Sequence, residues 1–104
     1  MANRVFTLLN QETADVVGDP FALDSDKFTV YVNGQLDGGV ITLETSPDNV
    51  TWYPVLGGIF SATKKGQPAN FVTTFDDAVM LLRATLDGAG PLANVSVDAV
   101  IKVR

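Results

Sequence analysis

The chain has 104 residues, a net charge of −5 and neither cysteine nor histidine. These absences remove disulfides, thiolate chemistry, Ser-His-Asp triads and zinc held by Cys or His, and the acidic balance disfavours binding to phosphate backbones and anionic membranes. No apolar run approaches the ~20 residues of a bilayer span, so the composition describes one domain with a thin core that folds without staples.

Arg4–Leu9 predicts the first strand. Residues 1–17 carry one Arg and a short apolar patch in place of a signal peptide's long apolar core, so no secretion is expected. The two N-x-S/T matches, Asn49-Val50-Thr51 and Asn94-Val95-Ser96, are then read as chance. Periodicity weakens over residues 10–26. Gln11–Val17 reads as a strand or an irregular arm, which makes 1–26 an N-terminal arm plus a first strand.

Lys27–Asn33 alternates clearly, with Phe28, Val30 and Val32 on one face and Lys27, Thr29, Tyr31 and Asn33 on the other. Gly38 and Gly39 open a strand over Val40–Thr45, Ser46-Pro47-Asp48-Asn49 reverses it, and Val50–Val55 returns. Val79–Leu86 reads as a strand covered on both faces or as a short helix. Strand is preferred because Asp87-Gly88 closes it abruptly. Asn94–Arg104 keeps period two over its whole length, with Val95, Val97, Ala99, Ile101 and Val103 on one face and Val100 the apolar intruder on the other.

Turn signals separate these runs at short intervals: Gly18-Asp19-Pro20, Asn33-Gly34, Asp37-Gly38-Gly39, Gly57-Gly58, Gly66 and Asp87-Gly88-Ala89-Gly90-Pro91. The expected fold is therefore all-β. It is a single antiparallel β-sandwich domain over residues 1–104, jelly-roll- or Ig-like, with about seven to nine strands.

No catalytic constellation stands out. Asp24, Asp26, Asp48, Asp76 and Asp77 are oxygen donors of the type calcium takes, but no D-x-D-x-D-G loop with a distal Glu orders them, and solvated turns account for them. Glycoside hydrolysis needs two acids held across a substrate cleft, and no aromatic-lined groove is evident. We therefore expect no enzyme, no metal and no cofactor. The adjacent Trp52 and Tyr53 would point to opposite faces of a strand, with Trp52 the expected core aromatic and its neighbour outside. Tyr31, on a polar strand face, is the better candidate for an exposed contact. Lys64-Lys65-Gly66 is a basic turn in an acidic protein, suited to an acidic patch on a partner or simply to a soluble hairpin tip. The candidate interface residues are thus Tyr31, Trp52, Tyr53, Lys64 and Lys65.

The stretch GGVITLETSPDNVTWYPVLGGIFSATKKG resembles small β-sandwich structural proteins of tailed bacteriophages. The shared pattern is an apolar strand ending in Leu43-Glu44, then Ser46-Pro47-Asp48, then Thr51-Trp52-Tyr53-Pro54-Val55, a glycine turn and Phe60-Ser61-Ala62. Leu82-Arg83-Ala84 and Ala93-Asn94-Val95-Ser96-Val97 continue it, so the resemblance covers residues 28–104. It implies a non-enzymatic virion component made in the host cytoplasm, above all a head decoration (cement) protein. Such a protein sits on the capsid surface, has the major capsid protein as partner and forms a homotrimer. It implies neither nucleic-acid nor membrane partners. The segment 1–26 would then be an arm reaching a neighbouring subunit or the shell. The alternative is a carbohydrate-binding or tail and baseplate accessory module for host attachment, with Tyr31 as its leading contact.

Overall fold

The computed structural model describes residues 3–23, 25–61, 68–76 and 81–102. Eight strands run in chain order: β1 Asn3–Glu12, β2 Val16–Val17, β3 Phe28–Gln35, β4 Val40–Ser46, β5 Tyr53–Ser61, β6 Phe71–Phe75, β7 Leu81–Asp87 and β8 Asn94–Lys102. They form two four-stranded antiparallel sheets, ordered β1-β8-β3-β6 and β2-β7-β4-β5. First pairs with last and each strand inward does the same: β1 with β8, β2 with β7, β3 with β6, β4 with β5. That is one long hairpin rolled into two layers, the jelly roll, rather than the Ig arrangement.

Alternation builds the core, as period two requires when one face of a sheet is buried. Phe28, Val30 and Val32 of β3 and Val95, Val97, Ala99 and Ile101 of β8 point inward from one sheet. Ile41 and Leu43 of β4 and Leu82, Ala84 and Leu86 of β7 meet them from the other. Each such Val, Leu, Ile or Phe side chain stabilises the fold by about 1.5–3 kcal/mol on burial. Phe28 and Phe75, paired across β3 and β6, stack with ring centroids 5.0 Å apart. The apolar intruder of β8, Val100, lies on the outer face between Val5 and Thr29.

Two stretches differ from simple expectation. Leu81–Asp87 is a strand buried on one face only, with Arg83 and Thr85 on the outer face. Of its predicted start, Val79 and Met80 lie outside the described residues. The described part of 1–26 is woven into both sheets as β1 and β2, with Leu8, Leu9 and Leu23 buried, and so belongs to the sandwich rather than to a free arm. Its periodicity is weak because β1 is irregular: the register shifts between Thr7 and Leu9 and again between Leu9 and Glu12. That irregularity turns two consecutive leucines inward and places Gln11 at φ 49°, its N–H donating to Ser96 Oγ at 2.9 Å.

The loops cluster at two ends. At one end, Asp15 Oδ1 accepts from Ala89 N at 2.8 Å. The buried Asp37 there accepts from Leu92 N through Oδ2 at 2.9 Å and from Gly90 N through its carbonyl at 3.1 Å. At the other end lie the 46–52 turn and the Lys27–Asp76 pair.

Candidate functional site

The 46–52 turn is built from its own side chains. Ser46 Oγ, fully buried, accepts from the N–H groups of Asp48 at 3.2 Å and Asn49 at 2.9 Å and donates to Asp48 Oδ1 at 3.1 Å. The same Asp48 oxygen accepts from Val50 N at 2.9 Å and Thr51 N at 3.0 Å. The backbone N–H groups of Thr51 and Val50, which favour the ionised form, hold the Asp48 carboxyl below its ordinary range. This carboxylate serves its loop. Among the other candidate cation ligands, Asp76 pairs with Lys27 at 3.5 Å, Asp26 is exposed, and Asp24 and Asp77 lie outside the described residues. Among the described residues, no three His, Cys, Asp or Glu side chains gather as a metal site.

Trp52 follows the turn and precedes β5, so strand parity does not govern it. It is half-buried and lies outside the core expected of it. The Arg83 guanidinium sits 3.9 Å from its ring centroid. Arg83 reaches there from the outer face of β7, opposite Glu44 of β4. Its Nε and Nη2 both meet Glu44 Oε1 at 2.9 Å. The cluster Trp52–Arg83–Glu44 thus closes one end of the outer sheet face, with one charge pair and one cation–π contact.

Tyr53, next in sequence, is exposed and opens a larger feature. β5 and β6 are the edge strands of their sheets, and they lie on the same side of the sandwich. Phe60 of β5 and Phe71 of β6 bring their rings within 5.8 Å. Outside that contact the two strands present Tyr53, Leu56, Ile59 and Val72 to solvent, Leu56 with 93% of its surface exposed. Neither strand, YPVLGGIFS or FVTTF, contains a charged residue. On the opposite side of the sandwich, β1 carries Arg4 and Glu12, and Asp15 and Asp19 flank β2.

The predicted interface residues separate accordingly. Tyr31 is exposed on the outer face of the first sheet, directly opposite Val72 of β6 and beside Asp98 of β8. It flanks the β5–β6 side from one sheet, and Tyr53 flanks it from the other. Trp52 is set back against Arg83. Lys64 and Lys65 lie outside the described residues. Sequence reasoning missed Leu56, Ile59 and Val72. For Leu56 and Ile59 the signal was present in the unbroken absence of charge along Tyr53–Ser61, but Gly57-Gly58 reads as a strand-ending turn. In the fold it is part of a bulge in which residues 55–58 stand against Leu43 alone, between the pairs Thr42–Ile59 and Glu44–Pro54. That bulge carries Leu56 outward.

No known family model matches the chain, and no curated protein matches it in sequence. Among solved structures, the chain is similar to the crystal structure of the SPBc2 prophage-derived protein YomS. The TM-score is 0.68, over 95% of this chain and 91% of that one, at 15% sequence identity. The shared property at that identity is the fold, and the correspondence extends over nearly the whole of both chains.

Proposed function

We propose that this chain is a virion structural protein of a tailed bacteriophage, binding the capsid surface in many copies as a decoration or cement protein. The observation that carries the reading is the end-to-end fold similarity to a prophage-derived protein. It stands beside the phage-like motif at Leu43-Glu44 through Phe60-Ser61-Ala62. The physics of the chain supports it. A cement protein requires a rigid scaffold, an acidic face that stays dispersed, and apolar surface for contact. The sandwich, the net charge of −5 and the exposed apolar side chains of the uncharged strands β5 and β6 supply these in turn. The role asks for no reacting group, since many copies bridging neighbouring capsomers convert modest contacts into strong overall attachment.

Co-sedimentation of the purified chain with DNA-filled heads assembled without it tests the reading. Saturable pelleting at a fixed number of copies per capsomer is the expected result. Heads that leave the chain in the supernatant, with binding to tails or host glycans instead, would replace it with a host-attachment role.

A further inference from the structure

We infer that the open edge of β6 takes up an extended segment of the capsid protein as an added strand of the first sheet. The inference rests on the decoration reading and names the contact through which it is made.

The two sheets have four edges between them, and three are closed to strand addition. β1 shifts register twice and carries Arg4 and Glu12. β2 has two residues. β5 holds Pro54, which has no N–H to donate, and its ladder is broken by the 55–58 bulge. β6 has none of these devices. Its register with β3 runs without a shift from Phe71 to Phe75, and it contains neither proline nor charge.

The pairing decides which backbone groups face outward. Ala69 N donates to Gly34 O at 2.6 Å, which makes those two residues a hydrogen-bonded pair. Such pairs alternate along an antiparallel ladder, so Phe71, Thr73 and Phe75 bond to β3. The N–H and C=O groups of Val72 and Thr74 then point away from β3, to a side where no described strand pairs with β6. These donors and acceptors recur about every 6.8 Å, the two-residue repeat of an extended chain. The partner that matches such a row is another extended backbone.

Packing and charge narrow the occupant. Residues of the added strand opposite Phe71 and Phe75 face inward with them, at the rim of the Phe60–Phe71 contact, so apolar side chains suit those positions. This chain carries −5, and the exposed Asp76 directly follows β6. A segment bearing Lys or Arg is attracted there, whereas a second copy, also at −5, is repelled.

Pelleting with DNA-filled heads assembled without the chain tests this, with variants confined to the edge. Val72→Pro and Thr74→Pro, made separately, each remove an outward N–H and keep every ladder bond to β3. Each should weaken pelleting at least tenfold. Val72→Thr keeps the N–H and should pellet as wild type does. Amide hydrogen exchange of the wild type gives a second readout that does not depend on the proline variants folding. The Val72 and Thr74 amides should exchange rapidly in the free chain and become protected on heads, with Thr73 protected in both. A wild type that does not pellet removes the decoration reading and this inference with it. A wild type that pellets, with proline variants that pellet equally or with Val72 and Thr74 still unprotected on heads, overturns the edge contact alone. Protection that appears in the free chain as its concentration rises gives the edge to a second copy and overturns it as well.

Discussion

Gly34 is where the backbone of this sandwich is least able to accept a side chain, and substituting it gives a sharp test of the packing. It lies near the end of β3, opposite Val95, with φ at +128°. Its carbonyl accepts from Ala69 N at 2.6 Å. A Cβ built there would run into the Asn94 carbonyl oxygen and stand 3.0 Å from both Asn94 C and Val95 Cα. Those atoms are backbone of β8 and cannot swing aside. Gly34→Ala therefore combines a glycine-only backbone conformation, about 1–3 kcal/mol, with an overpacking cost of about 1–3 kcal/mol. Together they remove about 2–6 kcal/mol from a domain whose whole stability is of order 5–15 kcal/mol. Gly38→Ala isolates the first effect: φ is +87°, and nothing lies within 4 Å of the added carbon. It should cost about 1–2 kcal/mol. In urea unfolding with a slope of about 1.5 kcal/mol/M, Gly34→Ala should lower the midpoint by roughly 1.5–4 M and Gly38→Ala by roughly 1 M. Equal midpoints for the two variants would show that the β3–β8 junction yields freely, and would refute the rigid packing described here.

Four further predictions rest on side-chain contacts. Arg83→Ala should cost about 2 kcal/mol in urea unfolding, more than Glu44→Ala or Trp52→Phe, because it removes the ion pair and the cation–π contact together. A double-mutant cycle should find Trp52 and Arg83 coupled by about 1 kcal/mol. Asp37→Ala should lower stability by about 1–3 kcal/mol, since it leaves the Leu92 N–H without its acceptor beside a buried turn; Asp37→Asn, which keeps an acceptor oxygen, should lose less. Asp15 and Asp48 both have folded carboxyls held below the ordinary value, Asp15 chiefly by the Ala89 N–H and then that of Gly88. The unfolded chain therefore binds protons first on acidification. The stability these groups give is present above about pH 4 and is lost as pH falls through their folded values. With no histidine in the chain, melting temperature should stay flat from about pH 6 to 8 and fall below about pH 4. Asp48→Asn should make that acid decline shallower, and a decline as steep as wild type would contradict the role of its loop bonds.

The regular strands were legible and the irregular ones were not, for a physical reason. Where the backbone keeps period two, as in Phe28–Gln35 and Asn94–Lys102, the inward residues are the ones alternation selects. Where a bulge adds residues to a strand, parity fails. In β1 that hid Leu8 and Leu9 as joint core residues, and in β5 it disguised Gly57-Gly58 as a turn. Trp52 was misplaced by the same rule, since it lies outside any strand and packs on a guanidinium thirty-one positions away in sequence. The choice between jelly roll and Ig sandwich depends on which strands pair across long separations, such as Asn3 with Lys102, and local pattern carries no trace of that. The candidate surface was half legible. Tyr31 and Tyr53 were found as exposed aromatics, but their place in different sheets, on either flank of the β5–β6 side, needed the sheet order.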